Sequence, residues 1–138
     1  MKVVVDTNVL ASGTLKTDTP PGMILQMILD GRLEAVISIQ MAAEYMDVLI
    51  RPAFGFSPDS ARKLVSSMAP SADWVDAPGL ELDLPDPDDR IFIECALAGR
   101  AECIVTGNKR HFPAGACHGI PVLSPAEFLD AFKRGAER

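Results

Sequence analysis

Four places in the chain put oxygen donors where chemistry could use them. Val3-Val4-Val5 runs straight into Asp6, Thr7 and Asn8, and Glu44 stands at the flank of an apolar stripe. Asp86-Pro87-Asp88-Asp89 gathers carboxylates before a third apolar run, and Thr106-Gly107-Asn108-Lys109-Arg110 closes a fourth. Each has an ordinary structural reading. Asp6 could cap a turn or a helix. Asp86 as N-cap, Pro87 at the first helical position and acids facing the dipole make a good helix start. Glu44 alone reads as a solvated helix residue, and Asn108 as turn chemistry. Together they say more. Carboxylates brought close raise one another's pKa unless a cation neutralises them. An oxygen-only donor set, with no suitable Cys or His group, suits Mg²⁺ or Mn²⁺ rather than zinc. An ion held this way can activate a water and stabilise an in-line displacement at phosphorus. The residues thus point to a Mg²⁺- or Mn²⁺-dependent phosphoryl or phosphodiester site.

Such a site needs elements that deliver the four places to one edge. Lys2 to Val5 read as a buried strand, and Glu34 to Ser38 as a second. Pro20, Pro21 and Gly22 precede a helical stripe over 23–31. A further helix is expected over about 39–50, with Met41, Tyr45, Val48 and Leu49 on one face. Ser57-Pro58 opens a helix with Ala61, Leu64, Val65 and Met68 inward. Asp73 to Asp76 could be a short strand. A Pro- and Asp-rich stretch from Pro78 to Asp89 leads into a helix over about 87–98. Cys103 to Thr106 and Pro121 to Leu123 are the last strands. Ser124-Pro125-Ala126-Glu127 has the cap, the N1 proline and the N3 glutamate of a capping box. Alternating strands and helices argue for an α/β fold with a parallel sheet covered on both faces. In such sheets ligands bind outside the carboxyl ends of the strands. Asp6, Thr106 and Asn108 fall there.

The 138 residues fit one domain over 1–138, and 48% hydrophobic content suits a packed globule. No apolar run is long enough for a membrane span, and no secretory leader is expected. Cys95, Cys103 and Cys117 have no zinc spacing and no complete pairing, so an intracellular, reduced, cytoplasmic location is expected. The net charge of −6 argues against a broad basic nucleic-acid surface. A cation among gathered acids can invert the field locally.

The stretches Val3–Leu10, Glu44–Leu49, Asp86–Ala96 and Ile104–Asn108, in this order and spacing, resemble a PIN domain over nearly the whole chain. The resemblance is strongest to the VapC-like toxin group of bacterial toxin–antitoxin systems. It implies a three-layer α/β/α sandwich and a metal-dependent ribonuclease that cuts RNA with water, leaving a 5′-phosphate and a 3′-hydroxyl. The family's acids match Asp6, Glu44 and Asp89, with Asp86 and Asp88 as neighbours. Where many PIN domains have a fourth acid, this chain has Asn108. Its amide oxygen can ligate Mg²⁺ or hold a water, but carries no charge. Thr7 and Asn8 would orient Asp6, and Thr106 could bond a water or a carboxylate. An antitoxin protein and a homodimer are the implied partners.

Lys109 and Arg110 read either as phosphate contacts or as a solvated basic turn. His111 and His118 offer a general base, though loop histidines satisfied by water are the expectation, and Phe112-Pro113 is expected to pack its loop. Two rival functions stay open. A haloacid-dehalogenase-type phosphatase also begins with Asp at the end of strand one, but the second Asp is absent and the acidic run precedes Thr106. A PIN-like binding module without chemistry would explain Asn108 and the acidic surface.

Overall fold

A computed structural model of the chain describes residues 1–76 and 79–136. Pro78, the start of the expected Pro- and Asp-rich stretch, lies outside them. Five strands form one sheet: β1 (Lys2–Val5), β2 (Glu34–Ile37), β3 (Asp73–Trp74), β4 (Cys103–Val105) and β5 (Val122–Leu123). Their order is β3-β2-β1-β4-β5 and every pairing is parallel. Among the described residues six helices flank the sheet: α1 (Thr7–Leu15), α2 (Pro20–Leu29), α3 (Ile39–Leu49), α4 (Pro58–Met68), α5 (Arg90–Ala98) and α6 (Pro125–Ala136). This is the α/β/α sandwich the sequence implies. The expected elements are all present with small shifts of boundary. Ser38 caps α3 instead of ending β2, and Thr106 and Pro121 fall just outside β4 and β5.

Val3, Val4 and Val5 are fully or almost fully buried, as expected of the central strand of a sheet covered on both faces. β1 pairs with β2 on one side and β4 on the other. After β1 the chain builds β2 and β3 outward on one side, then returns to build β4 and β5 on the other. The carboxyl end of β1 is therefore the topological switch point, where the connections part and leave a crevice.

The caps follow the sequence. Ser57 Oγ accepts from Ser60 N at 3.1 Å, and Ser38 Oγ from Met41 N at 3.1 Å. At the start of α6, Glu127 N donates to Ser124 Oγ at 3.1 Å and Ser124 N donates to Glu127 Oε1 at 2.9 Å, a complete capping box. Two features differ from expectation. α2 begins at Pro20 with Thr19 as its cap, so both prolines are inside its first turn. Asp86 caps a short 3₁₀ turn over Pro87–Asp89, and α5 begins only at Arg90.

α1 has no counterpart in the sequence reading. Thr, Val, Ser and Gly in TNVLASGTL are weak helix formers, and the segment carries little amphipathic pattern. Packing supplies what propensity lacks. Val9, Leu10 and Ala11 are buried, and α1 lies against α2 and α3. A Cβ on Gly22 would stand 2.3 Å from the Lys16 carbonyl oxygen, so only glycine lets α2 pack this closely on the connection that leaves α1.

Candidate active site

The carboxyl edge of the sheet collects the acids. Asp6 follows β1 directly, and its N–H donates to the Val105 carbonyl at 2.9 Å, extending the β1–β4 ladder by one bond. Its backbone occupies the N-cap position of α1, but its side chain caps nothing. The carboxylate is free for another task. It accepts instead from Thr106 Oγ1 at 2.7 Å, across 100 residues of chain. Thr106 is fully buried, and its Oγ1 also accepts from Asn108 N at 3.1 Å. One hydroxyl thus fixes both the carboxylate and the turn after β4.

Asp6 is 8% exposed, and this burial raises its pKa. The Thr106 hydroxyl and the amides of Thr7 and Asn8 oppose the rise. Asp89, in the 3₁₀ turn before α5, is raised further, to about 6, by burial first and then by the charges of Asp6 and Asp86. Glu44, half-buried on α3, is raised by burial, then by Asp47, Asp88 and Asp6. Asp6 is the shared neighbour that couples acids from β1, α3 and the α5 entrance.

Tyr45 explains why Glu44 is presented here. It is the chain's one tyrosine, fully enclosed, and its hydroxyl donates to the Val5 carbonyl at 2.5 Å. The bond pins α3 to the end of β1, one residue before Asp6. Tyr45→Phe is expected to destabilise the fold by about 1–2 kcal/mol, because a buried carbonyl loses its donor. Urea unfolding measures this, and an unchanged midpoint would show that the bond carries no weight.

His111 is not the water-satisfied loop histidine of the sequence reading. Its Nδ1 stands 3.0 Å from Asp89 Oδ2. The next residue supplies the reason. Phe112 is buried edge-on against Phe92 of α5, ring centroids 6.3 Å apart, and it draws the turn onto the acid. Apart from this contact the buried Asp89 Oδ2 has no donor, and the Thr7 hydroxyl has no partner among the described residues.

The remaining predicted residues are placed as follows. Asp86 Oδ1 accepts from Asp88 N at 3.0 Å, its structural capping role, and Asp88 is exposed. Asn8, Asn108 and Arg110 are exposed at the rim. Lys109 Nζ donates to Glu127 Oε1 at 3.0 Å, which commits it to the α6 capping box. Of the groups expected to orient Asp6, the Thr7 and Asn8 side chains do not bond it; Thr106 does. A further acid, Glu94, is 2% exposed, paired with Arg90 at 2.8 Å, and accepts from Gly79 N at 3.1 Å. It ties α5 to the segment after β3. Its place inside an apolar helix run gave the sequence no signal.

Among the described residues no three His, Cys, Asp or Glu side chains already form a metal cage. The donor chemistry nonetheless fits a hard divalent cation. The donors are oxygens, one is a buried carboxylate oxygen faced only by a histidine nitrogen, and the acids repel one another.

The model of the PIN domain family matches residues 2–110, a span that takes in Asp6, Glu44, Asp89 and Thr106. The chain belongs to the PIN domain family. Among solved structures, this PIN domain is similar to a chain of VapBC2 from Rickettsia felis, crystallised bound to a DNA fragment from its promoter. The TM-score is 0.58 at 13% identity, covering 90% of this chain and 98% of that one, a likeness of fold. No curated protein matches the chain by sequence. Membership leaves the dehalogenase-type phosphatase without support. No helix of the described residues is long and apolar enough to cross a membrane.

Proposed function

We propose that this PIN domain is a metal-dependent endoribonuclease, the toxin of a toxin–antitoxin pair acting in the cytoplasm. The observation that carries the reading is buried Asp6 with half-buried Asp89 and Glu44, three acids whose pKa values are all raised, with the Asp89 Oδ2 faced only by His111 among the described residues. PIN domains are generally nucleases and generally use divalent ions. Asp6, Glu44 and Asp89 would hold the ion, with the Asn108 amide as a neutral fourth donor. Bound Mg²⁺ or Mn²⁺ supplies Lewis acidity towards a phosphoryl oxygen and lowers the pKa of a water.

The chain's own groups do the rest. Thr106 keeps Asp6 in one orientation, and Tyr45 keeps Glu44 beside it. His111 Nδ1, 3.0 Å from Asp89 Oδ2, holds that carboxyl group in place. Arg110, exposed beside Asn108 and without an ion pair among the described residues, is placed for the RNA backbone; Lys109 must leave Glu127 to share that task. An antitoxin covering the acids, and a homodimer, complete the proposal. The likeness to VapBC2 supports the toxin assignment.

The test is cleavage of end-labelled structured RNA in Mg²⁺, in Mn²⁺ and in EDTA. Products with 5′-phosphate and 3′-hydroxyl ends, formed only with metal, are expected. Well-folded protein that cuts none of a broad RNA set in either metal would overturn the nuclease reading. The neutral Asn108 would then mark a binding module.

A further inference from the structure

The sheet has a second edge, and it bears a different feature. Arg32, whose N–H donates to the Met27 carbonyl at 2.8 Å, lies just before the first residue of β2, at the amino edge of the sheet. α6 starts after β5, and Lys133 in its last turn lines one groove with Arg32. Between α2 and α6 lies a groove of about 360 Å³, floored by Met23, Met27, Leu129 and Phe132 and rimmed by Arg32 and Lys133. The topology puts this groove at the opposite end of the sheet from the acids.

Its charge runs against the rest of the molecule. The chain carries −6, yet both charged groups lining the groove are cations, and neither is ion-paired among the described residues. Met23 is 42% exposed, which leaves its thioether on offer. Methionine side chains repack around varied apolar anchors. A trough between two helices accepts the apolar face of a third, with anchors at i, i+4 and i+7. The volume is at the small end of binding sites, enough for a few such anchors.

We propose that the α2–α6 groove docks an acidic amphipathic helix of a protein partner, with Glu or Asp of that helix meeting Arg32 and Lys133. A second copy of the chain fits poorly, because a two-fold contact would set these cations against themselves. RNA fits poorly too: the one aromatic of the floor, Phe132, is already stacked on Phe128, and two cations neutralise little of a phosphate backbone. The docking site stands independently of the nuclease reading.

The probe is a labelled helical peptide with Leu and Phe at i, i+4 and i+7 and Glu at all other positions; its control replaces each Glu by Lys. Binding to the full chain is followed by anisotropy and by methionine-methyl NMR. The acidic peptide is expected to saturate, shifting Met23 and Met27. The Lys peptide should bind at least about tenfold more weakly, and R32E/K133E should lose at least about tenfold in affinity for the acidic one. Asp6→Asn should bind unchanged, separating this surface from the acid site. Equal binding of both peptides, or no shift at Met23 and Met27, would overturn the proposal. So would shifts of these methyls with an RNA oligonucleotide in place of the peptide, or with protein concentration alone and cured by Met23→Glu.

Discussion

Asp6→Asn is expected to fold as the wild type does and to lose metal-dependent RNA cleavage. The change keeps the shape of the side chain. Its amide oxygen can still accept from Thr106 Oγ1, which the carboxylate meets at 2.7 Å. It removes a charge held at 8% exposure, where burial already disfavours ionisation, so the melting temperature should hold or rise. What disappears is the central anion of the site, the one whose field reaches both Glu44 and Asp89. The loss of activity should exceed the roughly 10–100-fold typical of groups that merely support a metal ligand. Cleavage rate, melting temperature and Mn²⁺ binding by electron spin resonance, measured on one preparation, decide it. Retained cleavage at full Mn²⁺ occupancy would remove Asp6 from the chemistry.

Asp89→Asn should make the metal-free chain more stable while silencing it. In the folded chain the Asp89 carboxyl titrates near about 6, against 3.8 for an unperturbed aspartate. Between those values the folded state holds a proton that the unfolded state has released. Stability therefore falls as pH rises from about 4 to about 6, then levels off. The Asp89 side chain is only 14% exposed, but the site mouth is open to solvent, and the cost of its charge at neutral pH is about 1–2 kcal/mol. Asn at this position should recover that amount and flatten the slope. Adding Mg²⁺ or Mn²⁺ should stabilise the wild type by mass action and leave the variant nearly unmoved. Urea unfolding in EDTA from pH 4 to 8, repeated with metal, provides the measurement. A variant no more stable than wild type at pH 7.5, with the slope intact, would show that Asp89 is not the strained group.

Much of this was legible in the chain, for reasons that differ from residue to residue. β1 could be read because three valines before a polar cluster suit few places besides a buried strand's end. The α4 and α6 starts could be read because Ser-Pro capping is local chemistry, fixed by residues three apart. α1 could not: its stability comes from burial against α2 and α3, which no propensity within TNVLASGTL reveals. His111 was misjudged because its position depends on Phe112 reaching Phe92, a contact between distant segments. Lys109 reads as a solvated turn residue ahead of a phosphate contact, and Glu127, 18 residues later, claims it. Thr106 was read as able to bond some carboxylate; the fold specifies which.

The bond between Thr106 and Asp6 has a consequence for synthesis. It joins residues 100 apart, and Asp89 stands 83 residues after Asp6, so the acids are brought together only when the two halves of the chain meet. Such contacts form only after long loops close, and parallel strands make that closure late and slow. A chain emerging from the ribosome holds Asp6 from the outset, yet the hydroxyl that orients it arrives near the end. The orientation of Asp6 is therefore completed only once the strand that leads into Thr106 has docked beside β1.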